Sequence, residues 1–282
     1  MVGGKNAKKS FLESEFKSIK HSNYFDVYDE ILSSYKGKKI KVLEIGVLNG
    51  GGLLMLRKIL GDNAQIVGVD LNPSCLKFND YGFKILIGDQ SDDQFWVNFF
   101  STMGKFDVII DDGGHTNSQQ INSLNSCIEN IADDGIYVTE DVHTSYWIEF
   151  GNPSKSSYIN YVKKIVDVVN SRGPRVKPQM QNSFYSTVHS ISIYQSIVCF
   201  RVNRLKSLAS NHISNSGKNF AHQDFRDNSS AIYPILSLLN LSNRKLNIYA
   251  KVMLLVLYHK MLNVKLQLQF RKVFKSSNKS HS

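Results

Sequence analysis

The stretch Val42-Leu43-Glu44-Ile45-Gly46-Val47-Leu48-Asn49-Gly50-Gly51 decides the fold. A short β-branched-rich run ends in a glycine turn, and a helical pattern without proline follows from Gly51 to Leu60. That order is the opening of a β-α-β unit whose strand is buried on both faces. The alternation recurs downstream. Apolar runs at Gln65–Val69, Phe83–Ile87, Phe106–Ile110 and Gly135–Thr139 alternate with helical patterns at Asp92–Thr102 and Thr116–Ile131. Repeated β-α-β predicts an α/β fold with a doubly wound, Rossmann-like, mostly parallel sheet. Ser190 to Val202 predicts an antiparallel hairpin at one edge. Residues 10–36 read as helical. The expected division is a helical lead-in at 1–37, the sheet domain at 38–204 and a basic, mostly helical extension at 205–282.

Composition narrows the function classes. The chain has 282 residues, 42% hydrophobic and 21% charged, which excludes a disordered or collagenous polymer. Its formal net charge is +10. Nine basic residues and no acid lie between Asn228 and Ser282, so the remainder is close to neutral. The body is therefore not expected to bind nucleic acid. The basic tail predicts a docking helix packed against the body or a second subunit, or peripheral contact with an anionic membrane face. The longest apolar run, Val252 to Tyr258, is too short to span a bilayer. No secretory signal is legible, because Phe11 to Lys20 is charged, and the expected location is cytoplasmic. Cys75, Cys127 and Cys199 sit singly in apolar stretches and predict buried thiols rather than a zinc or redox site.

In doubly wound sheets ligands lie outside the carboxyl ends of the strands. Here those ends are Gly46 to Gly51, Asp70, Gly88-Asp89-Gln90-Ser91, Asp111-Asp112-Gly113-Gly114-His115 and Glu140-Asp141-Val142-His143. The first turn is not a phosphate P-loop, since no Gly-Lys-Ser/Thr follows. It is not a dinucleotide fingerprint either, because Leu48 stands at the second glycine position. Asp70 suits two ribose hydroxyls, since a carboxylate accepts several hydrogen bonds. Two adjacent acids at each of two neighbouring strand ends exceed what helix capping needs. Like charges so close require a cation, and an all-oxygen set favours Mg²⁺, with Mn²⁺ or Ca²⁺ as alternatives. His115, three residues after Asp112, is the natural base for an alcohol nucleophile.

These motifs resemble the class I S-adenosylmethionine-dependent methyltransferases. Further residues narrow the likeness: His21-Ser22, Tyr24, Tyr28, Glu44-Ile45-Gly46, Gly88-Asp89-Gln90-Ser91-Asp92, Asp111-Asp112-Gly113-Gly114-His115 and Glu140-Asp141 through Tyr146-Trp147. Together they resemble the macrolide-sugar O-methyltransferases of the macrocin and mycinamicin type, with cephalosporin hydroxylase-like relatives, over about residues 17–204. The resemblance implies metal-dependent transfer of a methyl group to a sugar hydroxyl by a homo-oligomer, a dimer or tetramer. It implies cofactor contacts from Tyr24, Glu44, Gly46, Asn49, Gly50, Asp70, Asp89, Gln90 and Asp111. Asp112, Glu140 and Asp141 would bind Mg²⁺ or Mn²⁺, His115 would be the catalytic base, and His143, Tyr146 and Trp147 would meet the substrate. Three features depart from the family, the first being the basic tail after residue 204, which has no counterpart in it. The family's Asp-Asp-Gly-Ser-His reads Asp-Asp-Gly-Gly-His here, and residues 154–186 are rich in Lys and Asn. The expected acceptor is a hexose or heptose, nucleotide-linked or in a capsule or lipopolysaccharide precursor. The alternatives weighed are an RNA methyltransferase, a small-phenol O-methyltransferase and a non-catalytic, membrane-associated binding protein.

Overall fold

The computed structural model describes residues 6–151, 155–172, 182–209, 213–218 and scattered positions between 256 and 269. The strands are β1 (Lys41–Ile45), β2 (Gln65–Asp70), β3 (Lys84–Ile87), β4 (Phe106–Asp111), β5 (Ile131–Thr139), β6 (Val188–Tyr194) and β7 (Ile197–Val202). They form one sheet in the order β3-β2-β1-β4-β5-β7-β6. The first five run parallel, and β7 is antiparallel to both neighbours, as the hairpin pattern predicts. The helices are α1 (Ala7–Leu12), α2 (Tyr24–Leu32), α3 (Gly51–Leu60), α4 (Asp93–Met103), α5 (Asn117–Cys127), α6 (Tyr158–Asn170) and α7 (Ser183–Thr187).

The pleat sends alternate residues of each strand to opposite faces. Val42 packs with α2 and α3 on one face, and Leu43 and Ile45 pack with α4, α5 and α6 on the other. Leu43 is fully buried, so Leu43→Ala would cost about 2–5 kcal/mol. Glu44 falls on the α3 face, at a depth where an apolar residue would be expected, and is 2% exposed. The three cysteines are buried and free.

Strand register places the site. Ile45 is level with Asp111, and Asp111 with Thr139. The ladder continues past the strands through Asp112 N donating to Ile45 O (2.9 Å) and Glu140 N to Asp111 O (2.9 Å). Gly46, Asp112 and Glu140 therefore leave the sheet along one edge.

The predicted helical lead-in needs correction. α1 and α2 are separated by residues 13–23, which form no helix. The reason is tertiary. Ser14 Oγ lies within hydrogen-bond range of the carbonyls of Phe16 (3.1 Å) and Gly51 (3.4 Å), and Phe16 packs edge-on against Phe78 and Tyr81. The arm is thus laid over the start of α3, where Gly51 has no side chain to hold it off.

The chain divides into compact units at 1–212 and 213–282. In the second unit the described positions from Val256 to Gln269 are helical, and Val256, Leu257, Met261, Val264, Leu266 and Leu268 are exposed. The remainder of the expected tail helix lies outside the described residues. Among the described residues no helix is long and apolar enough to cross a membrane.

Candidate active site

A cavity of about 420 Å³ opens at the carboxyl edge of β1, β2, β3 and β4. Its size suits a small molecule, for which about 300–1,000 Å³ is usual. Its wall joins Glu44, Gly46, Asn49, Asp70, Asp89 and Gln90 to Asp112, His115 and Asp141. Leu48 and Leu71, 71% and 69% exposed, give it apolar sides.

The turn after β1 is fixed by its neighbours. Gly46 has φ +90°, and a side chain there would overlap the carbonyl of Asp112. Asp70 Oδ2 accepts from the backbone N–H groups of Val47 (2.8 Å) and Leu48 (2.9 Å), and Oδ1 from Asn72 N (2.8 Å). Asp70 thus shapes the turn first, and the Cys75 thiol also bonds its carboxylate, which leaves little of its acceptor capacity for a ligand. Glu44 is pushed up to about 8 by burial, against the opposing pull of Lys20. Its Oε2 is buried without a hydrogen-bond partner in the cavity wall. An unpartnered buried carboxyl oxygen beside a small-molecule cavity fits a ligand ammonium.

Several expected cofactor residues sit elsewhere. Asp111 is 1% exposed and lies beneath the cavity, bonded by Tyr137 OH (3.0 Å) and Gln90 Nε2 (3.2 Å). Burial pushes its carboxyl up to about 6. Gln90 lines the cavity, but its amide is committed to the protein, donating to Ser123 Oγ (2.9 Å) and accepting from Gly114 N (2.7 Å). Gly50 does not line the cavity. It has φ +75°, and a side chain there would strike the Phe78 ring. Tyr24 is on the far side of the acids, where its hydroxyl donates to Asp141 Oδ1 (2.5 Å) and lies 3.0 Å from Ser196 Oγ.

The acids and histidines form a compact cluster. His115 Nε2 is 3.8 Å from Asp112 Oδ1 and 3.5 Å from Asp141 Oδ2. Donor atoms of Asp112, His115 and Asp141 all fall within 4.8 Å of one another, which sets the imidazole beside any divalent ion that the two aspartates hold. His115 and Asp141 both adopt left-handed backbone, with φ +60° and +54°. Thr144 Oγ1 holds the pair, shared between the carbonyls of His115 (2.9 Å) and Asp141 (2.8 Å). Helix capping does not account for the acids after β4, since α5 is capped by Thr116 and Gln119 in a reciprocal box.

Asp141, in the wall of this cavity, also faces two residues of a second, of about 500 Å³, lined by His21, Asn23, His143, Tyr146, Tyr194 and Ser196 among others. Its Oδ1 faces His21 Nε2 (3.9 Å) and His143 Nδ1 (4.0 Å). His143 also contacts Ser196 Oγ and stacks edge-on with Trp147, which is half exposed. Burial lowers the His143 pKa.

Glu140 is placed differently from Asp112 and Asp141. It is fully buried, and both its oxygens lie 2.8 Å from Lys20 Nζ, with Tyr28 OH donating to Oε1. Lys20 Nζ also lies 2.5 Å from Asp112 Oδ2. Burial pulls the Lys20 pKa down, but Asp112 and Glu140 hold it well above the ordinary value. Lys20 and Thr144 were not among the residues singled out from sequence. For Lys20 a signal existed: several acids at one sheet edge need a cation, and Lys20 precedes His21-Ser22.

No protein-family model matches the chain. Over 153 residues it is 31% identical to the mycinamicin VI 2''-O-methyltransferase of Micromonospora griseorubida, covering 50% of this chain and 38% of that protein. It is 30% identical over 155 residues to the L-olivosyl-oleandolide 3-O-methyltransferase of Streptomyces antibioticus, covering 51% and 40%. The matched part thus spans about two fifths of these relatives. Among solved structures, the MycE methyltransferase of the mycinamycin pathway, in complex with Mg and SAH, superposes with a TM-score of 0.62. It is 23% identical and covers 70% of this chain and 54% of its own. The fold is therefore that of the class I methyltransferases, and the likeness to macrolide-sugar O-methyltransferases read from the motifs is also found by alignment.

Proposed function

We propose that this chain transfers the methyl group of S-adenosylmethionine to a sugar hydroxyl with the help of a divalent ion. The observation that carries this reading is the single cavity that joins the glycine turn and Glu44 to Asp112, His115 and Asp141. The relatives' names support the reaction class, and the solved MycE complex with Mg and SAH supports the pairing of cofactor and ion.

The cofactor's part is to supply the methyl group when bound. Glu44 Oε2 receives its ammonium, Gly46 leaves room for it, and Leu48 and Leu71 give an apolar wall. Asp112, Glu140 and Asp141 would hold Mg²⁺ or Mn²⁺, whose positive charge lowers the pKa of an acceptor hydroxyl. His115 Nε2 takes the hydroxyl proton. Its Nδ1 is buried without a hydrogen-bond partner, so no carboxylate fixes the imidazole's tautomer and Thr144 positions it through the backbone instead. The acceptor sugar occupies the cavity beyond Asp141, where His21 and His143 can bond ring hydroxyls and Tyr146 offers an aromatic face. Catalysis is then mainly placement of oxygen against methyl, with deprotonation as the added chemical step.

We extend the acceptor to a hexose or heptose, nucleotide-linked or within a surface-polysaccharide precursor. The test is transfer of labelled methyl from S-adenosylmethionine to a panel of nucleotide sugars, sugar-bearing macrolides, RNA and a catechol, with Mg²⁺ or with chelator. Metal-dependent labelling of one class supports the reading and names the acceptor. Labelling of RNA or of a catechol instead would replace it.

A further inference from the structure

Lys20 holds two of the three carboxylates proposed to bind the ion. Its ammonium is 2.5 Å from Asp112 Oδ2 and 2.8 Å from both oxygens of Glu140, and its side chain is 2% exposed. Tyr28 takes a further position on Glu140 Oε1. Both oxygens of Glu140 are therefore engaged, and the side of Glu140 that faces Asp112 is filled by a monovalent cation. A divalent ion on the same two carboxylates would meet a like charge in a buried site, where repulsion is poorly screened.

The segment that carries Lys20 is suited to leave. Residues 13–23 are neither helix nor strand. Among the described residues, 17–20 make no backbone-to-backbone hydrogen bond. Phe16, against Phe78 and Tyr81, anchors one side of this stretch, and His21 O, accepting from Tyr24 N (3.0 Å), anchors the other. Between those anchors, Lys17 and Ser18 rest on Gly51 and the Lys20 side chain is buried, while Ile19 is 78% exposed. The same stretch lines the cofactor cavity through Lys17, Ser18 and Ile19.

We propose that Lys20 is the resident counter-ion of Asp112 and Glu140, and that a divalent ion binds by expelling it and so reshapes the cofactor wall formed by residues 17–19. This rests on the metal-dependent reading above. In the ion-free chain Lys20 bridges two acids that would otherwise repel each other. With the ion in place, Glu140 is released to complete the set with Asp112 and Asp141, and Lys20 turns outward.

The test is amine footprinting of the full chain with an acetylating reagent, read by mass spectrometry at each lysine. It is run in chelator and then with MgCl₂ or MnCl₂, and binding of the same salts is followed by calorimetry. Lys20 should be protected in chelator and acetylate at least tenfold faster when the ion is bound, with Lys84 and Lys105 unchanged. Calorimetric binding with Lys20 still protected would overturn the displacement and leave the metal reading standing. No ion binding to the wild type or to Lys20→Met would overturn the metal reading itself. Lys20→Met should bind Mn²⁺ at least tenfold more tightly, and unchanged or weaker binding in a folded variant would contradict competition.

Discussion

Thr144 Oγ1 lies 2.9 Å from the carbonyl oxygen of His115, tying the loop after β5 to the loop after β4. Both His115 and Asp141, the other residue Thr144 contacts, have positive φ. Such backbone is uncommon outside glycine and persists only when its surroundings hold it. Thr144→Val keeps the shape and removes the hydroxyl. It should cost about 1–2 kcal/mol of stability. Turnover should fall by about 10²-fold through misplacement of His115. Thr144→Ser should restore most of both. Equal activity in Thr144→Val would remove the positioning role.

His115 should be tested with asparagine, because asparagine tolerates left-handed backbone where alanine would add strain. Loss of the base predicts a fall in turnover of about 10²–10⁴-fold. Binding of S-adenosylmethionine, followed by calorimetry, should stay near the wild-type value. A variant that turns over normally would move the base elsewhere.

Glu44 gives a proton-linked prediction. Its carboxyl, pushed up to about 8, is mostly protonated at pH 7, and a ligand ammonium beside it favours the ionised form. Binding of S-adenosylmethionine at pH 7 should therefore release close to one proton, measured as the dependence of binding heat on buffer ionisation enthalpy. Glu44→Gln should abolish that release and weaken binding. The same shift fixes the sign of a stability effect. A carboxyl whose folded pKa lies above its ordinary 4.5 holds its proton better folded than unfolded. Its contribution is full below about 4.5 and is lost as pH rises toward 8. The ligand-free wild type should lose Tm between pH 6.5 and 8, and Glu44→Gln should lose less.

Gly114 stands where the resembling family has serine. A side chain here would overlap the Gln119 amide, which closes the capping box with Thr116. Gly114→Ser should therefore lower stability by about 1 kcal/mol, the usual worth of such a cap. In a Gln119→Ala background the same change should cost much less. Additive effects in the double variant would show that the two residues do not compete for space.

The fold was legible because five buried strands and their helices carry local patterns: Val42 to Ile45 followed by the glycine turn, and Phe106 to Ile110 followed by Asp111-Asp112. The acids were legible because each stands at a strand end, and parallel register brings those ends level. Orientation was not legible. Asp111 and Asp112 are adjacent, yet one points under the sheet edge to Tyr137 and the other into the cavity. Nor does local sequence show that residues 13–23 abandon helix, because Lys20 is held by Asp112 and Glu140, 92 and 120 residues away. Tyr24 illustrates the same limit: its partner Asp141 is a tertiary neighbour that no spacing rule identifies.

The most direct test of the central claim is calorimetric titration of S-adenosylmethionine into the full chain, in chelator and then with Mg²⁺. Saturable binding at one site per chain is expected, weakened by Glu44→Gln and accompanied by proton release at pH 7. No binding under either condition would contradict it, and would leave the cavity joining Gly46 to His115 in need of a different ligand.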